Sequence, residues 1–484
     1  MQIRELEPKE VFYYFEELSK IPRGSGHTEE VAEYCLRFAE AHGLKAKRDA
    51  GGNVLIYKGA SDGCEEKEPV ILQGHLDMVC EKEADCEIDM ERQGLELETD
   101  GEKLWAAGTS LGADDGIALA YSLALLASDK IAHPPIEALF TNDEETGMLG
   151  ARQLDGTELE AKRLINIDSE TEGILYVSCA GGVNAVCEIP VVYEEKKKRE
   201  GIFYELTISN LAGGHSGIEI HKQRVNAIRL LASLLSAGKK EAELQLAELS
   251  GGGKDNAIPK EARALFQIKE EEEEAFLCAM KRSIALWLQD MADADKKARI
   301  YLKRVEGGAG NLLTKESTEK VLFALEMSPD GLYKRSEEID GMTESSLNLG
   351  IANLEAGCLR YTYLIRSNKA AGKALLLERL ERFTEYLSGR VETKADYPAW
   401  EYCRDSELRE ICRSCFRELY GYEPEITSIH AGLECGIFAG KKPELDMISF
   451  GPTMQHVHTS DEVLDVASAK RCWDYLLEIL KRLP

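Results

Sequence analysis

The stretch Val70-Ile-Leu-Gln-Gly-His-Leu-Asp-Met-Val79 predicts a buried strand that ends in two polar side chains. Its apolar run has the length of a strand, Gly74 ends that run, and His75 and Asp77 follow. Side chains two positions apart share a face of extended backbone, so both can point into one pocket. An imidazole suits zinc-like ions, and a nearby carboxylate can hold its second nitrogen. An ordinary hydrogen-bonded histidine would give the same pattern, so this stretch alone does not show that His75 is a metal ligand.

Composition limits the class of protein. With 484 residues, the chain is long enough for two or more domains. The formal net charge of −28 argues against a nucleic-acid partner, because phosphate binding needs clustered Lys and Arg. The N-terminus is charged from the start, and no apolar run approaches the roughly 18 residues of a membrane span. We therefore expect neither a nucleic-acid nor a membrane partner.

The cysteines predict a reducing compartment. There are 13 of them, an odd number scattered along a long chain, which favours free thiols in the cytoplasm over a disulfide framework. Cys412 and Cys415 form a CxxC pair, which can indicate zinc or redox chemistry. The sequence has no second CxxC and the pair falls on a predicted amphipathic helix, so we interpret both as buried thiols.

Strands and helices alternate over the first 180 residues. The hydrophobic patterns predict helices over residues 8–20, 28–43 and from Asp114 onward, and strands over residues 53–57, 69–74, 136–141 and 163–167. Such alternation is typical of an α/β fold in which helices flank a largely parallel sheet. The helix after Asp114 is apolar nearly all round and should be buried.

The middle of the chain has a different character. A strand is predicted over residues 204–211 and a helix over residues 220–235, and the charged run at 194–200 is expected to be a solvated turn. We interpret this part as a separate α+β unit. The expected organisation is a first domain of residues 1–185, completed by residues 397–484, with residues 186–396 inserted as a second domain.

Four further stretches place carboxylates or imidazoles where apolar runs end. They contribute Asp114 and Asp115, Glu144 and Glu145, Asp168, and His456 and His458. Each has an ordinary alternative: Asp114 or Asp115 could cap the helix that follows, and an acidic pair could belong to a surface loop. Spacing cannot choose between His456 and His458, because both could share one face of a strand.

Together, the five stretches supply two imidazoles and three carboxylates. This is the ligand count of a two-metal site, in which a shared carboxylate bridges ions about 3.5–4 Å apart. Mixed nitrogen and oxygen ligands favour zinc, with manganese or cobalt as alternatives. Adjacent carboxylates point to different sides, so Glu145 can bind a metal while Glu144 faces a bound water as general base.

The combined motifs resemble those of the metallopeptidase family M20, in its aminoacyl-histidine dipeptidase branch. The similarity extends over essentially the whole chain. It is carried by Ile21-Pro-Arg-Gly-Ser, Gly74-His-Leu-Asp-Met-Val, Gly112-Ala-Asp-Asp-Gly, Asp143-Glu-Glu-Thr-Gly, Asn166-Ile-Asp-Ser-Glu, Gly213-Gly-His-Ser-Gly, Asn256-Ala-Ile-Pro, His430-Ala-Gly-Leu-Glu-Cys-Gly and the tail around His458. The resemblance implies a zinc-exopeptidase-like catalytic domain with an inserted α+β lid domain.

The resemblance also assigns roles at the metal site. It implies that His75 and Asp168 hold one divalent ion, that Glu145 and His458 hold the other, and that Asp114 bridges them. By the same similarity Asp77 would orient His75, and Glu144 would be the general base. His456 becomes a neighbour that the family motif does not require.

Further roles are implied on the substrate side. His215 matches the residue that stabilises the oxyanion, and Asn256 matches a lid position that contacts substrate. Arg366 matches an arginine that could grip a peptide's C-terminal carboxylate, a task for which Arg is geometrically suited. For His430 and Glu434 we expect substrate-side roles.

The expected function is that of a cytoplasmic dipeptidase that uses two divalent metal ions. It would hydrolyse Xaa-His and other dipeptides by means of a metal-bound water activated by Glu144. Small peptides would be its substrates, and the resemblance is compatible with a homodimer. The alternatives are another M20-type amidohydrolase (an N-acyl amino acid deacylase, a tripeptidase or an aminopeptidase) and a non-catalytic binding protein on a peptidase scaffold.

Overall fold

The protein is described by a computed structural model over residues 2–194, 201–306, 311–355 and 357–484. The turn expected at 194–200 therefore lies outside the described residues, apart from Glu194. All 13 cysteines are described and all are free thiols, with both Cys412 and Cys415 buried. In the described ranges, no helix combines the length and the apolar character needed to cross a membrane.

The described residues form eleven α-helices. They are α1 (Lys9–Ser19), α2 (Glu29–Ala41), α3 (Ala113–Ala127), α4 (Leu149–Gln153), α5 (Ala227–Lys239), α6 (Glu273–Asp290), α7 (Lys315–Met327), α8 (Ala370–Tyr386), α9 (Glu407–Tyr420), α10 (Glu434–Lys441) and α11 (Val466–Arg482).

Strands are distributed along the same ranges. They are β1 (Lys45–Arg48), β2 (Val54–Lys58), β3 (Val70–His75), β4 (Leu97–Thr99), β5 (Lys103–Ala106), β6 (Ile136–Thr141), β7 (Arg163–Asn166), β8 (Ile174–Cys179), β9 (Gly181–Pro190), β10 (Ile202–Ser209), β11 (Gly214–His215), β12 (Gln245–Gly251), β13 (Ala257–Ile258), β14 (Ala262–Ile268), β15 (Arg299–Val305), β16 (Gly331–Arg335), β17 (Thr343–Glu355), β18 (Cys358–Ser367), β19 (Arg390–Tyr397), β20 (Glu425–Ile429), β21 (Asp446–Ser449), β22 (Met454–Gln455) and β23 (Val463–Asp465).

The chain divides into two compact units. The first consists of Met1–Cys179, Trp400–Ser428 and Leu433–Pro484, and the second of Ala180–Ala399 and Ile429–Gly432. The domain limits expected from the sequence, at 185/186 and 396/397, stay a prediction. The second unit also includes the short segment Ile429–Gly432, which the sequence patterns did not predict.

An eight-stranded sheet forms the centre of the first unit, in the order β1-β2-β6-β3-β7-β21-β8-β20. Its central strands β6, β3, β7 and β21 are parallel, which agrees with the predicted α/β class. The β1–β2, β2–β6 and β21–β8 pairs are antiparallel, so the sheet is mixed rather than largely parallel. Because parallel strands end at one edge, His75 and the segments after β6, β7 and β21 emerge side by side.

A smaller sheet of the first unit joins distant parts of the chain. Its order is β22-β23-β5-β4, and its pairs are antiparallel. The hairpin of β22 and β23 carries His458, while β5 leads toward α3 and Asp114. This pairing brings the end of the chain to the start of α3.

The helix α3 is the buried helix expected from its sequence. All of its residues except Ala127 are buried, because it is apolar on nearly every side. Asp114 and Asp115 lie at its beginning with non-helical backbone angles. The N-cap position belongs to Gly112, whose φ of 64° is left-handed.

The second unit is built on a nine-stranded sheet. Eight strands follow the order β15-β10-β14-β12-β17-β18-β9-β19, and β16 pairs with β17. Its core contains side chains of α5, α7 and α8, among them Leu231, Leu325 and Leu380. The helix predicted over 220–235 begins only at Ala227, because the Asn226 side chain accepts the N–H groups of residues 228 and 229 and caps it there.

A substitution at Gly74 tests the close packing of β3 against α3. A Cβ at this position would lie 2.5 Å from Asp115 Oδ2 and 2.6 Å from Ala118 Cβ. Because such overpacking is costly, Gly74→Ala should lower the free energy of unfolding by about 1–3 kcal/mol in a denaturant titration. In Gly59→Ala, the matched control, the new Cβ meets nothing within 4 Å. Equal unfolding midpoints for the two variants would contradict this packing.

Candidate metal centre

The candidate residues of the first unit lie at the ends of its strands or just beyond them. His75 ends β3, Asp77 follows it, Glu144 and Glu145 follow β6, Asp168 follows β7, and His458 lies between β22 and β23, while Asp114 is in the first turn of α3. Strand ends place side chains at an edge where the backbone has finished its ladder hydrogen bonds. These residues are therefore free to face one another.

Asp114 lies between two imidazoles. Its Oδ1 is 3.0 Å from His75 Nε2, and its Oδ2 is 3.1 Å from His458 Nε2. His75 Nε2 is also 3.7 Å from Asp168 Oδ1, and His458 Nε2 is 2.8 Å from Glu145 Oε1. The five side chains thus form two groups that share Asp114.

Asp115 also belongs to this cluster, although the resemblance assigned a metal role to Asp114 and none to Asp115. Its Oδ2 accepts the backbone N–H of His75 at 3.2 Å. Ligand atoms of His75, Asp115 and Asp168 lie within 4.8 Å of one another. In the described part of the chain, Asp115 Oδ1 is buried and lacks a hydrogen-bond partner. Neither Asp114 nor Asp115 caps α3, so the capping alternative is wrong for both.

Asp77 connects the imidazole of His75 to the Glu144–Glu145 segment. Its backbone carbonyl accepts a hydrogen bond from His75 Nδ1 at 3.1 Å, and its Oδ1 lies 3.4 Å from the same nitrogen. The carboxylate also accepts the N–H groups of Glu144 at 2.9 Å and Glu145 at 3.3 Å, and the Ser25 hydroxyl at 2.7 Å. With Nδ1 engaged, Nε2 is the nitrogen of His75 that faces the other carboxylates.

The cluster attracts positive charge. Burial raises the pKa of Glu144 to about 8 and raises the pKa of Asp168 well above its usual range. Hydrogen bonds to Asp114 and Glu145 raise the pKa of His458 to about 10. Without other cations, the cluster therefore takes up protons, since buried carboxylates cannot all remain charged together. Divalent cations would supply the same positive charge, so this set of nitrogen and oxygen donors fits metal ions.

Glu434 is held beneath the ends of β3 and β6. Its Oε2 accepts hydrogen bonds from Gln73 Nε2 at 2.5 Å and from the Thr141 hydroxyl at 2.7 Å. Burial raises the pKa of Glu434 to about 7. Its Oε1 has no hydrogen-bond partner in the described ranges. Its predicted contact with substrate stays a prediction.

In the second unit, the imidazole of His215 has a defined tautomer. Its Nδ1 accepts the backbone N–H groups of Gly217 at 3.2 Å and Ile218 at 3.1 Å. Burial and the charge of Arg366 lower the pKa of His215, so the ring is neutral at physiological pH. The neutral ring must then carry its proton on Nε2, which makes Nε2 a hydrogen-bond donor.

Arg366 lies beside His215. A Cβ on Gly217 would be 3.0 Å from His215 Cε1 and 3.2 Å from Arg366 Nε, so one glycine separates the two side chains. Arg366 donates from Nη1 to the Tyr397 hydroxyl at 2.9 Å. Its buried Nε has no hydrogen-bond partner among the residues that the structure describes. An unused buried donor is suited to an anionic ligand.

The other two predicted residues of the second unit differ in their surroundings. Burial lowers the pKa of His430 to about 3, and its ring nitrogens contact Ser346 Oγ at 2.8 Å and Asn368 Oδ1 at 3.1 Å. Asn256 is exposed, and its carbonyl accepts the Ser216 N–H at 2.9 Å. Asn256 is thus joined to the segment of His215, whereas both nitrogens of His430 are already engaged.

Arg23 and Glu462 were not predicted as site residues. Both are buried and hydrogen-bonded to the backbone around the cluster. Arg23 lies in the Ile21-Pro-Arg-Gly-Ser motif and Glu462 follows His458 closely, so both stood in motifs already singled out. Each is a charged residue in a quoted motif that had been given no role, and this could have indicated that it is part of the site.

Comparison with known proteins shows clear relatives. Residues 71–482 match the family model of peptidase family M20/M25/M40. The chain is 35% identical over 483 residues to the cytosol non-specific dipeptidase of Escherichia coli (strain K12), covering 100% of this chain and 99% of that one. These matches confirm the resemblance that the motifs indicated.

Solved structures give the same result. The aminoacylhistidine dipeptidase of Vibrio alginolyticus has a TM-score of 0.93 and 35% sequence identity, covering 100% of this chain and 98% of that one. The aminopeptidase PepT of Bacillus cereus has a TM-score of 0.57 and 15% identity, with 99% of each chain covered. The second similarity concerns the fold alone.

The histidine pair of the β22–β23 hairpin gives a matched test of the metal centre. Both histidines are exposed, but it is the His458 imidazole that contacts Asp114 and Glu145. After zinc loading and gel filtration, His458→Ala should retain one ion per chain fewer than the wild type by elemental analysis, because a ligand is lost. His456→Ala should retain the wild-type amount. Loss of metal from His456→Ala alone would reverse the assignment.

Proposed function

Because the chain belongs to peptidase family M20/M25/M40, we propose that it is a metal-dependent dipeptidase. The position of Asp114 carries the proposal, since its two oxygens lie 3.0 and 3.1 Å from the imidazoles of His75 and His458. A carboxylate with one oxygen toward each of two imidazoles is suited to bridging two ions. Two proteins that are 35% identical to the chain over nearly its whole length are named as dipeptidases.

Asp114 and the four side chains around it would hold two ions. His75 and Asp168 would hold one, His458 and Glu145 the other, and Asp114 would be shared. Divalent ions bound there would lower the pKa of a water molecule and polarise the carbonyl of the scissile peptide bond. We propose zinc, with manganese or cobalt as alternatives, because the donors are a mixture of nitrogen and oxygen.

Glu144 would act as the general base. Glu144 is partly buried, and its backbone N–H donates to Asp77 at 2.9 Å, which anchors the residue beside the cluster. Nearby cations favour the charged carboxylate, which lets Glu144 accept a proton from the attacking water at neutral pH. The same carboxyl would then return that proton to the leaving amine.

The second unit would supply groups that recognise the substrate. His215 carries its proton on Nε2, so it would donate to the oxyanion of the tetrahedral intermediate. Arg366 has an unused buried donor that would bind the C-terminal carboxylate of a dipeptide. Asn256 and His430 of the second unit, and Glu434 of the first, stay proposed substrate-side residues.

The setting of the reaction is part of the proposal. Small peptides would be the substrates and the cytoplasm the compartment, in line with the name of the Escherichia coli relative. The homodimer is likewise a proposal, and analytical ultracentrifugation of the purified chain tests it directly.

Glu144→Gln tests the base. The amide keeps the size of the side chain but cannot accept the proton, so kcat should fall by about 10²–10⁴-fold. Zinc content and thermal midpoint should remain those of the wild type, which separates loss of the base from loss of the site. A variant that holds its zinc and keeps full kcat would remove Glu144 from this role.

A substrate panel separates the dipeptidase from its alternatives. The panel consists of Ala-His, β-Ala-His, a tripeptide and an N-acetyl amino acid, each assayed with zinc-loaded and metal-stripped protein. We expect hydrolysis of dipeptides by the loaded protein, little cleavage of the other two substrates, and no turnover after stripping. Hydrolysis of the acetylated substrate alone would make the protein a deacylase instead.

A further inference from the structure

A buried arginine, Arg23, hydrogen-bonds to the backbone next to two of the proposed metal ligands, His75 and Asp114. Arg23 is 3% exposed, and its Nη1 donates to the carbonyls of Leu76 at 3.0 Å and Asp77 at 2.9 Å. Its Nη2 donates to the carbonyl of Gly112. One group of contacts therefore lies in the segment that follows His75, and the other at the beginning of α3.

A buried carboxylate holds the same turn through its N–H groups. Glu462 is 2% exposed, and its Oε2 accepts the N–H groups of Leu111 and Gly112, both at 2.9 Å. Its Oε1 accepts the N–H groups of Ala113 at 2.8 Å and Asp114 at 3.4 Å. The first N–H groups of a helix lack partners within the helix, and a carboxylate is favourable there. Because the N-cap residue, Gly112, has no side chain, Glu462 accepts the N–H groups that an N-cap side chain would otherwise accept.

The turn is shaped to receive the guanidinium. A Cβ on Gly112 would lie 2.7 Å from Arg23 Nη2, and a Cβ on Gly116 would lie 2.5 Å from the same atom. Glycine at both positions lets the arginine approach the backbone. The turn at 111–114 therefore has two charged partners. The Arg23 guanidinium donates to its Gly112 carbonyl, and the Glu462 carboxylate accepts its N–H groups.

The arrangement of Arg23 is costly for stability alone. Burying a guanidinium carries a large desolvation penalty, and a buried charge is weak evidence for stability. Burial lowers the pKa of Arg23, the charges of Glu462 and Asp77 offset only part of that effect, and within the described ranges its Nε has no hydrogen-bond partner. Its hydrogen bonds go to carbonyls of the two segments that carry His75 and Asp114.

We propose that Arg23 and Glu462 are positioning residues that clamp the turn at 111–114. The clamp fixes the Asp114 carboxylate between the imidazoles of His75 and His458. Arg23 ties the turn to the segment of His75, and Glu462 ties it to the hairpin of His458. The proposal rests on the proposed function, in which Asp114 serves both ions. Arg23 also lies outside residues 71–482, the part matched by the family model.

The clamp predicts a specific defect. Removing a partner that orients a metal ligand typically costs about 10–100-fold in metal affinity or activity. Because Asp114 is shared, its displacement should weaken both ions together. A defect of stability alone would lower the unfolding temperature and leave the affinity for zinc unchanged well below that temperature.

The test compares two clamp variants with two matched controls in the full chain. The clamp variants are Glu462→Gln and Arg23→Lys. Glu137→Gln is one control, because Glu137 is a buried carboxylate of the same unit that accepts the N–H groups of residues 160 and 161. Arg409→Lys is the other, because Arg409 is buried there and donates to the carbonyls of residues 403 and 404.

The readouts are zinc affinity and folding. Metal-stripped protein is titrated with zinc in competition with a chromogenic chelator, and circular dichroism gives the thermal midpoint. We expect both clamp variants to bind two zinc ions about 10–100-fold more weakly than the wild type. Both controls should keep wild-type affinity even where their midpoints fall. If Arg23→Lys does not fold, the zinc affinity of Glu462→Gln alone tests the clamp.

Two outcomes contradict the clamp alone. One is zinc affinity of the folded clamp variants within about twofold of the wild type, which itself binds two ions. The other is an equal loss of affinity in the controls, which would show a general effect of buried charges. Failure of the wild type to bind two zinc ions would instead overturn the proposed function, and the clamp with it.

Discussion

The structure of the first unit depends on one carboxylate that faces two imidazoles from distant parts of the chain. Asp114 contacts His75 at 3.0 Å and His458 at 3.1 Å. These contacts require β3, α3 and the β22–β23 hairpin to end at the same place. The surrounding carboxylates repel one another unless protons or metal ions compensate them. The same cluster therefore sets both the arrangement of the strand ends and the chemistry that the protein can perform.

Much of this centre could be predicted because its signals are local. The stretch ending at His75 shows an apolar run followed by polar residues, and the same pattern recurs before Asp168 and around Asp114. The α/β class follows from such runs, and it is confirmed. The antiparallel margins of the sheet could not be predicted, since strand direction depends on connections between distant segments. The late start of α5 was also missed, because Asn226 caps the helix one turn or more after its apolar pattern begins.

The choice between a helix cap and a metal ligand could not be made from the sequence at Asp114. An aspartate before an apolar helix fits both roles. The deciding residue is Glu462, which takes the N–H groups at the beginning of α3 and so leaves the Asp114 side chain free to face the imidazoles. The tautomer of His215 was hidden for a similar reason. It depends on backbone N–H groups whose direction appears only in the folded turn.

Glu462 also links the closure of the fold to the assembly of the site. The unpaired N–H groups of a buried helix must find partners, and those of α3 find theirs in a residue near the end of the chain. The same hairpin carries His458. In the folded chain, the hairpin therefore supplies both the partners for the N–H groups of α3 and the second imidazole that faces Asp114. A chain lacking it would leave those buried N–H groups without partners, so the beginning of α3 and the cluster around Asp114 depend on the same hairpin.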